Sequence, residues 1–261
     1  MDEAEWMREL QLQMKERTDP WVVLEGRHAV EGAMGGWWDI VGVLAGEHCE
    51  WEPPDWSGLV VIRRDRKTVE ATAGYSFHRG VIGLARQPDE VADVHGLMSE
   101  LDADATVVVC PRLSDPSNIG AIIRNAAALG AAAVILGSEG ASPFERKAVR
   151  ASSGALFRVP VRVADAGQVL RCLKAGGFRL IGTSGHKKAT ALTQLDGVEG
   201  RVALVIGSEA DGLGSFWEKA CDCLTRIPME SGMDSMNAAA ASAVCLWELQ
   251  RLREAALEED D

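Results

Sequence analysis

Asn118 and Arg124 lie six residues apart in the segment PRLSDPSNIGAIIRNAAALG, which directly follows the strand-like run VVVC. The serines and Asp115 before the apolar run are residue types that commonly cap helices. Arg124 stands among isoleucines and alanines, so we expect its charge to need a partner or a ligand. The segment therefore predicts a helix that carries polar chemistry near its start.

Two further segments directly follow strand-like runs and are rich in small residues. We call each of these segments a corner. In IGSEADGLG, Gly207 would let the backbone approach a ligand closely, and Glu209 supplies a carboxylate. An acidic turn with ordinary glycine usage explains this segment equally well. Gly182 and Thr183 form the other corner, after FRLI. We expect these corners to converge if the strands are parallel, because ligands bind at the carboxyl ends of such strands.

Ser235 and Asn237 stand two residues apart in RIPMESGMDSMNAAAASAVCLWELQRL, at the mouth of an alanine-rich helix. Capping is the simplest interpretation, since both side chains can accept hydrogen bonds from the first turn. On this segment alone, capping is preferred to a role in a functional site.

Familiar catalytic signatures do not occur in the sequence. It contains no GxGxxG, GxxxxGK[ST], GxSxG or HExxH, which excludes the usual dinucleotide, triphosphate, hydrolase-elbow and zincin motifs. The five histidines have no metal-ligand spacing: His28, His48, His78, His95 and His186. A set of Asn, Arg, Glu and Ser side chains favours group transfer by positioning over hydrolysis.

Composition narrows the class further. The 261 residues are 47% hydrophobic and 25% charged, as in ordinary globular proteins, and no segment has the apolar length of a membrane span. The chain begins without a signal-peptide pattern, so we expect a cytoplasmic protein. Six scattered cysteines, with no CxxC pair, are typical of reduced core residues: Cys49, Cys110, Cys172, Cys221, Cys223 and Cys245.

The net charge of −12 argues against a general nucleic-acid coat, but basic residues cluster in two islands. Each island is either a local surface for phosphates or a solvated face. The first contains Arg63, Arg64, Arg66, Lys67, Arg79 and Arg86, and the second Arg146, Lys147, Arg150, Arg158 and Arg162.

Two α/β units are expected to position these residues. From residue 105 onward, apolar runs of about five residues alternate with helical segments, which predicts a doubly wound, Rossmann-like parallel sheet. Before it, a helix over 4–16 and a shorter alternation of strands and helices predict a small α/β unit. We place the boundary so that residues 1–100 form the first domain and 101–261 the second.

Three of these segments, taken together, resemble the motifs of the SpoU (TrmH-like) branch of the SPOUT RNA methyltransferases. The matching segments are DPSNIGAIIR from Asp115, IGSEADGL from Ile206 and IPMESGMDSMN from Ile227. RASSGALF, from Arg150, is similar to the family's RNA-facing segment. LEGRHAVEGAM, from Leu24, and HRGV, from His78, resemble its small substrate-binding domain.

The resemblance implies S-adenosylmethionine as cofactor, transfer to a ribose 2′-hydroxyl, a C-terminal trefoil knot, a small N-terminal RNA-binding α/β domain and a homodimer with a shared site. It implies catalytic roles for Asn118, Arg124, Glu209, Ser235 and Asn237. It implies that the cofactor contacts Gly182, Thr183, Gly207, Ile227, Met229 and Met236. We add an RNA-binding set of Arg27, His28, Arg79, Arg150, Ser152 and Ser153.

Several alternatives stay open at this stage. An RNA-binding homologue without turnover would keep these motifs, and a different small-ligand enzyme with a Rossmann-like sheet would keep the strand corners. The expected nucleic acid is RNA and not DNA, and no membrane partner is expected. The acidic C-terminus, AALEEDD, favours ribosomal RNA over transfer RNA as the substrate.

Overall fold

Two β-sheets organise the chain in this computed structural model. One has four strands and the other has seven. The structure describes residues 2–35, 38–54, 59–76, 80–196, 198–208, 211–230, 233 and 235–259.

The four-stranded sheet lies in the N-terminal part of the chain, with the strand order β1-β4-β2-β3. β4 pairs antiparallel with β1 and β2, whereas β2 and β3 are parallel. Its strands are β1 Trp21–Glu25, β2 Asp39–Gly46, β3 Val61–Arg64 and β4 Val81–Arg86. Its helices are α1 Glu3–Lys15, α2 Arg27–Met34 and α3 Arg66–Ala73. The amphipathic α1 predicted from the sequence is confirmed, because Trp6, Leu10 and Met14 pack on this sheet.

The seven-stranded sheet is parallel and has the order β7-β6-β5-β10-β8-β11-β9. Its strands are β5 Thr106–Cys110, β6 Ala133–Gly137, β7 Val161–Ala164, β8 Arg179–Thr183, β9 Thr190–Ala191, β10 Val202–Val205 and β11 Cys223–Arg226. Its helices are α4 Val94–Glu100, α5 Pro116–Ala128, α6 Arg146–Ser152, α7 Ala166–Ala175, α8 Gly214–Ala220 and α9 Ala238–Glu259. The predicted α/β fold with a parallel sheet is confirmed.

Helices cover both faces of this sheet, which explains why its central strands are apolar throughout. In β5, Val107 and Val109 point into the core formed with α4 and α7. Val108 and Cys110 point into the opposite core, which α5, α6 and α9 complete. Alternation of side chains along a strand thus buries every residue of β5.

The small sheet packs onto the large unit through a continuous core. Val22 and Val30 belong to the same buried cluster as Ile119 and Phe157. The linking helix α4 packs against α7 and the large sheet. The domain boundary that we place near residue 100 stays a prediction.

A buried carboxylate ties the two sheets together. The Glu25 side chain is fully buried at the end of β1, and Arg146 Nε of α6 donates a hydrogen bond to Oε1 at 2.5 Å. The Tyr75 hydroxyl donates to Oε2 at 2.5 Å, and Arg146 also donates to the carbonyl of Met14 at 2.7 Å. Burial and the Glu25 carboxylate raise the pKa of Tyr75, which keeps the phenol neutral. These bonds fix α6 against the N-terminal sheet.

We expect Glu25→Ala to lower the free energy of unfolding by about 3 kcal/mol, because removing one partner of a buried ion pair leaves the other uncompensated. Tyr75→Phe deletes only one hydrogen bond to the carboxylate, and it should cost about 1.5 kcal/mol. Urea denaturation of the wild type and both variants measures these differences. A Glu25→Ala protein as stable as the wild type would contradict this role.

Candidate active site

A cavity of about 470 Å³ opens at the carboxyl ends of β8, β10 and β11, beside the start of α9. This volume lies within the roughly 300–1,000 Å³ of typical ligand pockets. Predicted site residues among its lining are Thr183, Gly207, Ile227, Met229, Ser235 and Met236. The segments that follow β8, β10 and β11 therefore converge, as expected for parallel strands. We call this space the strand-end cavity.

Gly207 is needed by the loop that follows β10. Ser208 and Gly212 exchange backbone hydrogen bonds of 2.9 and 3.0 Å, which closes the loop into a tight turn. A Cβ on Gly207 would lie 2.4 Å from the carbonyl carbon of Gly212. Any side chain at Gly207 would thus displace the backbone of the loop. Thr183 Oγ1 accepts a hydrogen bond from the Gly207 amide at 3.4 Å and joins two corners.

Gly182 has a different environment from the other predicted cofactor residues. It is buried in β8, and a Cβ there would lie 2.6 Å from Leu213 and 2.7 Å from the Cys221 sulfur. Close packing between β8 and the start of α8 accounts for this glycine. Its predicted contact with a cofactor stays a prediction.

Asn237 caps α9 and also joins it to α5. Its Oδ1 accepts hydrogen bonds from the amides of Ala239 and Ala240 at 2.9 and 3.2 Å, as expected for a capping residue. Its Nδ2 donates to Oδ1 of Asn118 at 2.9 Å. The capping interpretation and the site interpretation are therefore compatible, since one side chain makes both sets of bonds.

A second asparagine strengthens the same junction and was missed in the sequence. Asn125 Nδ2 donates to the carbonyl of Ala239 at 2.7 Å and to Oγ of Ser242 at 2.9 Å. Ser242 is fully buried in α9. In the sequence, Asn125 and Ser242 are polar residues within two otherwise apolar helices. Their contact could be predicted only if the packing of α5 against α9 were already known.

Arg124 lies on the outer face of α5 and is exposed, so water reaches its charge and its role at a site stays a prediction. Ile122 and Ile123 are fully buried and occupy the inner face. On a helix, six residues separate Asn118 from Arg124 by roughly 9 Å along the axis and 120° around it. Arg124 accordingly lines a different cavity, of about 520 Å³, together with His28. We call this space the junction cavity.

Several residues of the strand-end cavity were not singled out in the sequence. Asp211 and Glu218 bring carboxylates to it, and Thr225 and Cys245 complete its walls. Burial raises the pKa of Cys245 to about 12, so this thiol is neutral near pH 7. Glu209, the carboxylate that we did predict, lies outside the described residues.

The first basic island is largely neutralised by carboxylates. Arg63 binds Glu52 at 2.5 Å, and Arg66 binds Glu70 at 3.0 Å. Arg64 forms a further ion pair, with Glu3 of α1. These pairs favour the solvated-face interpretation for this island. Arg79 lies outside the described residues.

The second island divides into structural and exposed members. Arg146 is bound to Glu25, and Arg162 is 7% exposed, with Nε donating to the carbonyl of Asp93 at 3.1 Å. Lys147, Arg150 and Arg158 are exposed. Only part of this island is thus available to a phosphate backbone.

The predicted RNA-binding residues lie near one another but differ in exposure. Arg27, His28, Arg150 and Ser153 are exposed. Arg27 forms an ion pair with Glu31 at 2.7 Å. The Ser152 side chain is buried, and its Oγ donates to the carbonyl of Val149 at 2.8 Å. Their roles in RNA binding stay predictions.

The part of the chain that the structure describes also bears on metals, membranes and cysteines. There, no group of three or more His, Cys, Asp or Glu side chains could hold a metal ion. No helix within the described ranges is long and apolar enough to cross a membrane. The six cysteines are free, but only Cys110 and Cys245 are buried, so the prediction of core cysteines holds fully for these two.

Comparison with known proteins identifies close relatives in sequence. Residues 105–247 match the SpoU rRNA Methylase family. The 23S rRNA (guanosine-2′-O-)-methyltransferase RlmB of Vibrio parahaemolyticus is 32% identical over 203 residues, which cover 76% of this chain and 81% of that protein.

Two solved structures share the fold over nearly the whole chain. The SpoU methyltransferase AviRb from Streptomyces viridochromogenes, in complex with AdoMet, is 25% identical with a TM-score of 0.79, covering 95% of this chain and 97% of that one. The AdoMet-bound rRNA methyltransferase from Sinorhizobium meliloti is 26% identical with a TM-score of 0.80, covering 94% of each chain.

Proposed function

The chain belongs to the SpoU rRNA methylase family, and from this premise we propose that it transfers a methyl group from S-adenosylmethionine to a ribose 2′-hydroxyl of ribosomal RNA. The observation that carries the proposal is the strand-end cavity, where the second and third family motifs meet. We place the reaction in the cytoplasm, where bacterial ribosomal RNA is found.

The residues of the strand-end cavity fit this cofactor. When bound, S-adenosylmethionine supplies an electrophilic methyl group on a positively charged sulfonium. The carboxylates of Asp211 and Glu218 complement that positive charge and the ammonium group. Apolar side chains, Ile206, Ile227 and Met236, offer walls for the adenine ring. Gly207 and the turn after it hold the backbone close to the bound molecule.

Arg124 stabilises the charge that develops on the 2′-oxygen and grips the adjacent phosphate. A guanidinium, with a pKa above about 12, does not accept a proton at neutral pH. Its planar fork does suit two oxygen acceptors at once. Asn118, which is bonded to Asn237, fixes the start of the helix that carries Arg124.

The active site is shared between two protomers of a homodimer. Arg124 and the strand-end cavity lie in separate places within one chain, so a second chain brings them together. Met229 and Met236, which line that cavity, are each 37% exposed, and Trp247 of α9 is 59% exposed. Exposed large apolar side chains favour an interaction surface on this side of the chain.

The C-terminal half contains a trefoil knot, and the N-terminal sheet is a domain that binds RNA. β10 follows β8 in the chain but lies between β5 and β8, so the chain re-enters the middle of a sheet already built. A knot requires in addition that the chain pass through a loop, which the family resemblance implies although knots are rare. The N-terminal domain presents His28 beside Arg124.

Incubation of purified protein with methyl-labelled S-adenosylmethionine and RNA tests this function. We expect label in ribosomal RNA, in dinucleotides that resist alkaline hydrolysis, because a 2′-O-methyl group blocks cleavage at that ribose. Label in transfer RNA alone would favour the alternative substrate. RNA binding without any transfer would identify a homologue that lacks turnover and would contradict the proposal.

A further inference from the structure

The junction cavity lies where the N-terminal unit meets the large one, away from the strand-end cavity. Its volume is about 520 Å³. Its lining comes from the second half of α5 and residues 131–132 after it, from residues 152–160 at and after the end of α6, and from His28 of α2. His28 is the contribution of the N-terminal unit, so both units border the cavity.

Close backbone contacts fix this arrangement. A Cβ on Gly154 would lie 2.4 Å from the carbonyl oxygen of His28, and a Cβ on Gly32 would lie 2.8 Å from the carbonyl oxygen of Gly154. Gly154 also has a φ of 87°, in the left-handed region that favours glycine. The two glycines therefore let α2 approach residues 152–155 closely, which holds His28 at the rim of the cavity.

The ionisable side chains of the cavity are all basic. Arg124, Arg158 and His28 line it, and no carboxylate occurs among its described lining residues. Within the described chain, neither arginine has a carboxylate within ion-pair distance, whereas Arg146, Arg63 and Arg66 are all paired. In a chain of net charge −12, a concave surface with two unpaired arginines is a specific feature.

Apart from Ser152 and Ser153, the rest of the wall is apolar. It consists of Ala127, Ala128, Ala131, Ala132, Ala155, Val159 and Pro160. Small side chains leave room for a planar group to lie against α5. A cationic rim beside such a wall matches a nucleotide, whose phosphate is anionic and whose base is planar.

We propose that the junction cavity binds a nucleotide of the RNA next to the one that is methylated, with Arg158 holding its phosphate and the alanine wall of α5 receiving its base. The inference rests on the proposed function for the nature of the polymer. Arg124, at the shared edge, then lies beside the target ribose, so filling the cavity orients the substrate. Arg158 is a binding residue that the family motifs do not include.

Filter binding of deproteinised ribosomal RNA over a series of salt concentrations tests the role of Arg158. We expect Arg158→Ala to weaken binding roughly tenfold, as for the loss of one charge-assisted contact. The slope of log K against log salt should fall by about 0.7–0.9, as for one phosphate contact. Arg158→Lys should keep the slope, because it keeps the charge. Arg171→Ala is the matched control, because the Arg171 side chain is exposed on α7, on the opposite side of the sheet from α5. This substitution should change neither value.

Three results would overturn the inference. One is Arg158→Ala binding RNA as Arg171→Ala does, and another is weaker binding with an unchanged salt slope. The third is an equal loss of affinity for S-adenosylhomocysteine, measured by calorimetry, since that would indicate a general structural defect. RNA binding is measured without turnover, so a wild-type protein that binds RNA through Arg158 but transfers no methyl group would contradict the proposed function alone.

Discussion

Arg124→Ala is expected to lower the rate of methyl transfer by roughly 10²–10³-fold, the range seen when one preorganised donor to a developing oxyanion is removed. The affinity for S-adenosylmethionine should change little, because the proposed contacts of Arg124 are with the 2′-oxygen and phosphate of the RNA and not with the cofactor. Single-turnover transfer of labelled methyl to ribosomal RNA measures the rate, and calorimetry with S-adenosylhomocysteine measures the affinity. The exposed position of Arg124 makes a folding defect unexpected.

Two further variants define the role of Arg124. Arg124→Lys keeps the charge but loses the bidentate fork, so we expect most of the rate to be lost. Arg171→Ala removes an exposed arginine elsewhere and should have normal activity. An Arg124→Lys enzyme with a near-normal rate would show that charge alone is sufficient and would contradict the proposed geometry.

Asn237→Ala should reduce methyl transfer far more than it reduces stability. Loss of the cap on α9 costs about 1 kcal/mol of unfolding free energy. The substitution also removes the bond from Nδ2 to Asn118, which joins the third motif to the first. Small shifts in positioning cost large factors in rate, so we expect a loss of roughly 10²-fold.

Asn237→Asp and Asn237→Ser separate the two roles of this side chain. Both keep an oxygen that can accept hydrogen bonds from Ala239 and Ala240, so both should be nearly as stable as the wild type. An ionised Asp has no donor for Asn118, and the Ser hydroxyl is on a shorter side chain that does not extend as far as the Asn237 amide, so both should lose activity. If either variant is fully active, Asn237 is a helix cap and nothing more. Urea denaturation and transfer assays on the same preparations provide the comparison.

The sequence predicted the large sheet well because its strands are buried on both faces. Runs such as ATVVVC and RVALVIG are apolar on both faces, which is typical of parallel strands covered by helices. Glycines and prolines between the elements mark the ends of these runs. The corners after β8, β10 and β11 then had to meet, since parallel strands share a carboxyl edge. The family resemblance implied Thr183, Gly207 and Ile227 as cofactor residues, and all three line the strand-end cavity.

Contacts between residues far apart in the sequence could not be predicted from local patterns. Glu25 and Arg146 are 121 residues apart, and nothing local indicates that the arginine in a basic island neutralises a buried carboxylate. The surroundings of Arg124 could not be read from its neighbours in sequence for a related reason. Those apolar neighbours face inward, but Arg124 itself faces outward on the helix. Helix α3 was missed because its charged residues suggested a surface island more strongly than a helix.

Two of the predicted site residues, Glu209 and Arg79, lie outside the described residues, so their roles stay predictions. We propose that Glu209 orients Arg124, and this role can be tested in solution. Glu209→Gln should lower the transfer rate while Glu218→Gln, at the strand-end cavity, should mainly weaken cofactor binding. Equal effects of both substitutions on both quantities would contradict this division.

The central claim is that one protomer supplies Arg124 and its partner supplies the strand-end cavity. Mixed dimers test it most directly, with Arg124→Ala in one protomer and Gly207→Val in the other, purified through two different affinity tags. Each parent dimer should be nearly inactive. The Arg124→Ala parent lacks the donor to the 2′-oxygen, and in the Gly207→Val parent the new side chain would collide with the backbone of Gly212. The mixed dimer should regain about half of the wild-type activity, since a two-fold arrangement leaves one site intact. A mixed dimer as inactive as its parents would contradict a shared site.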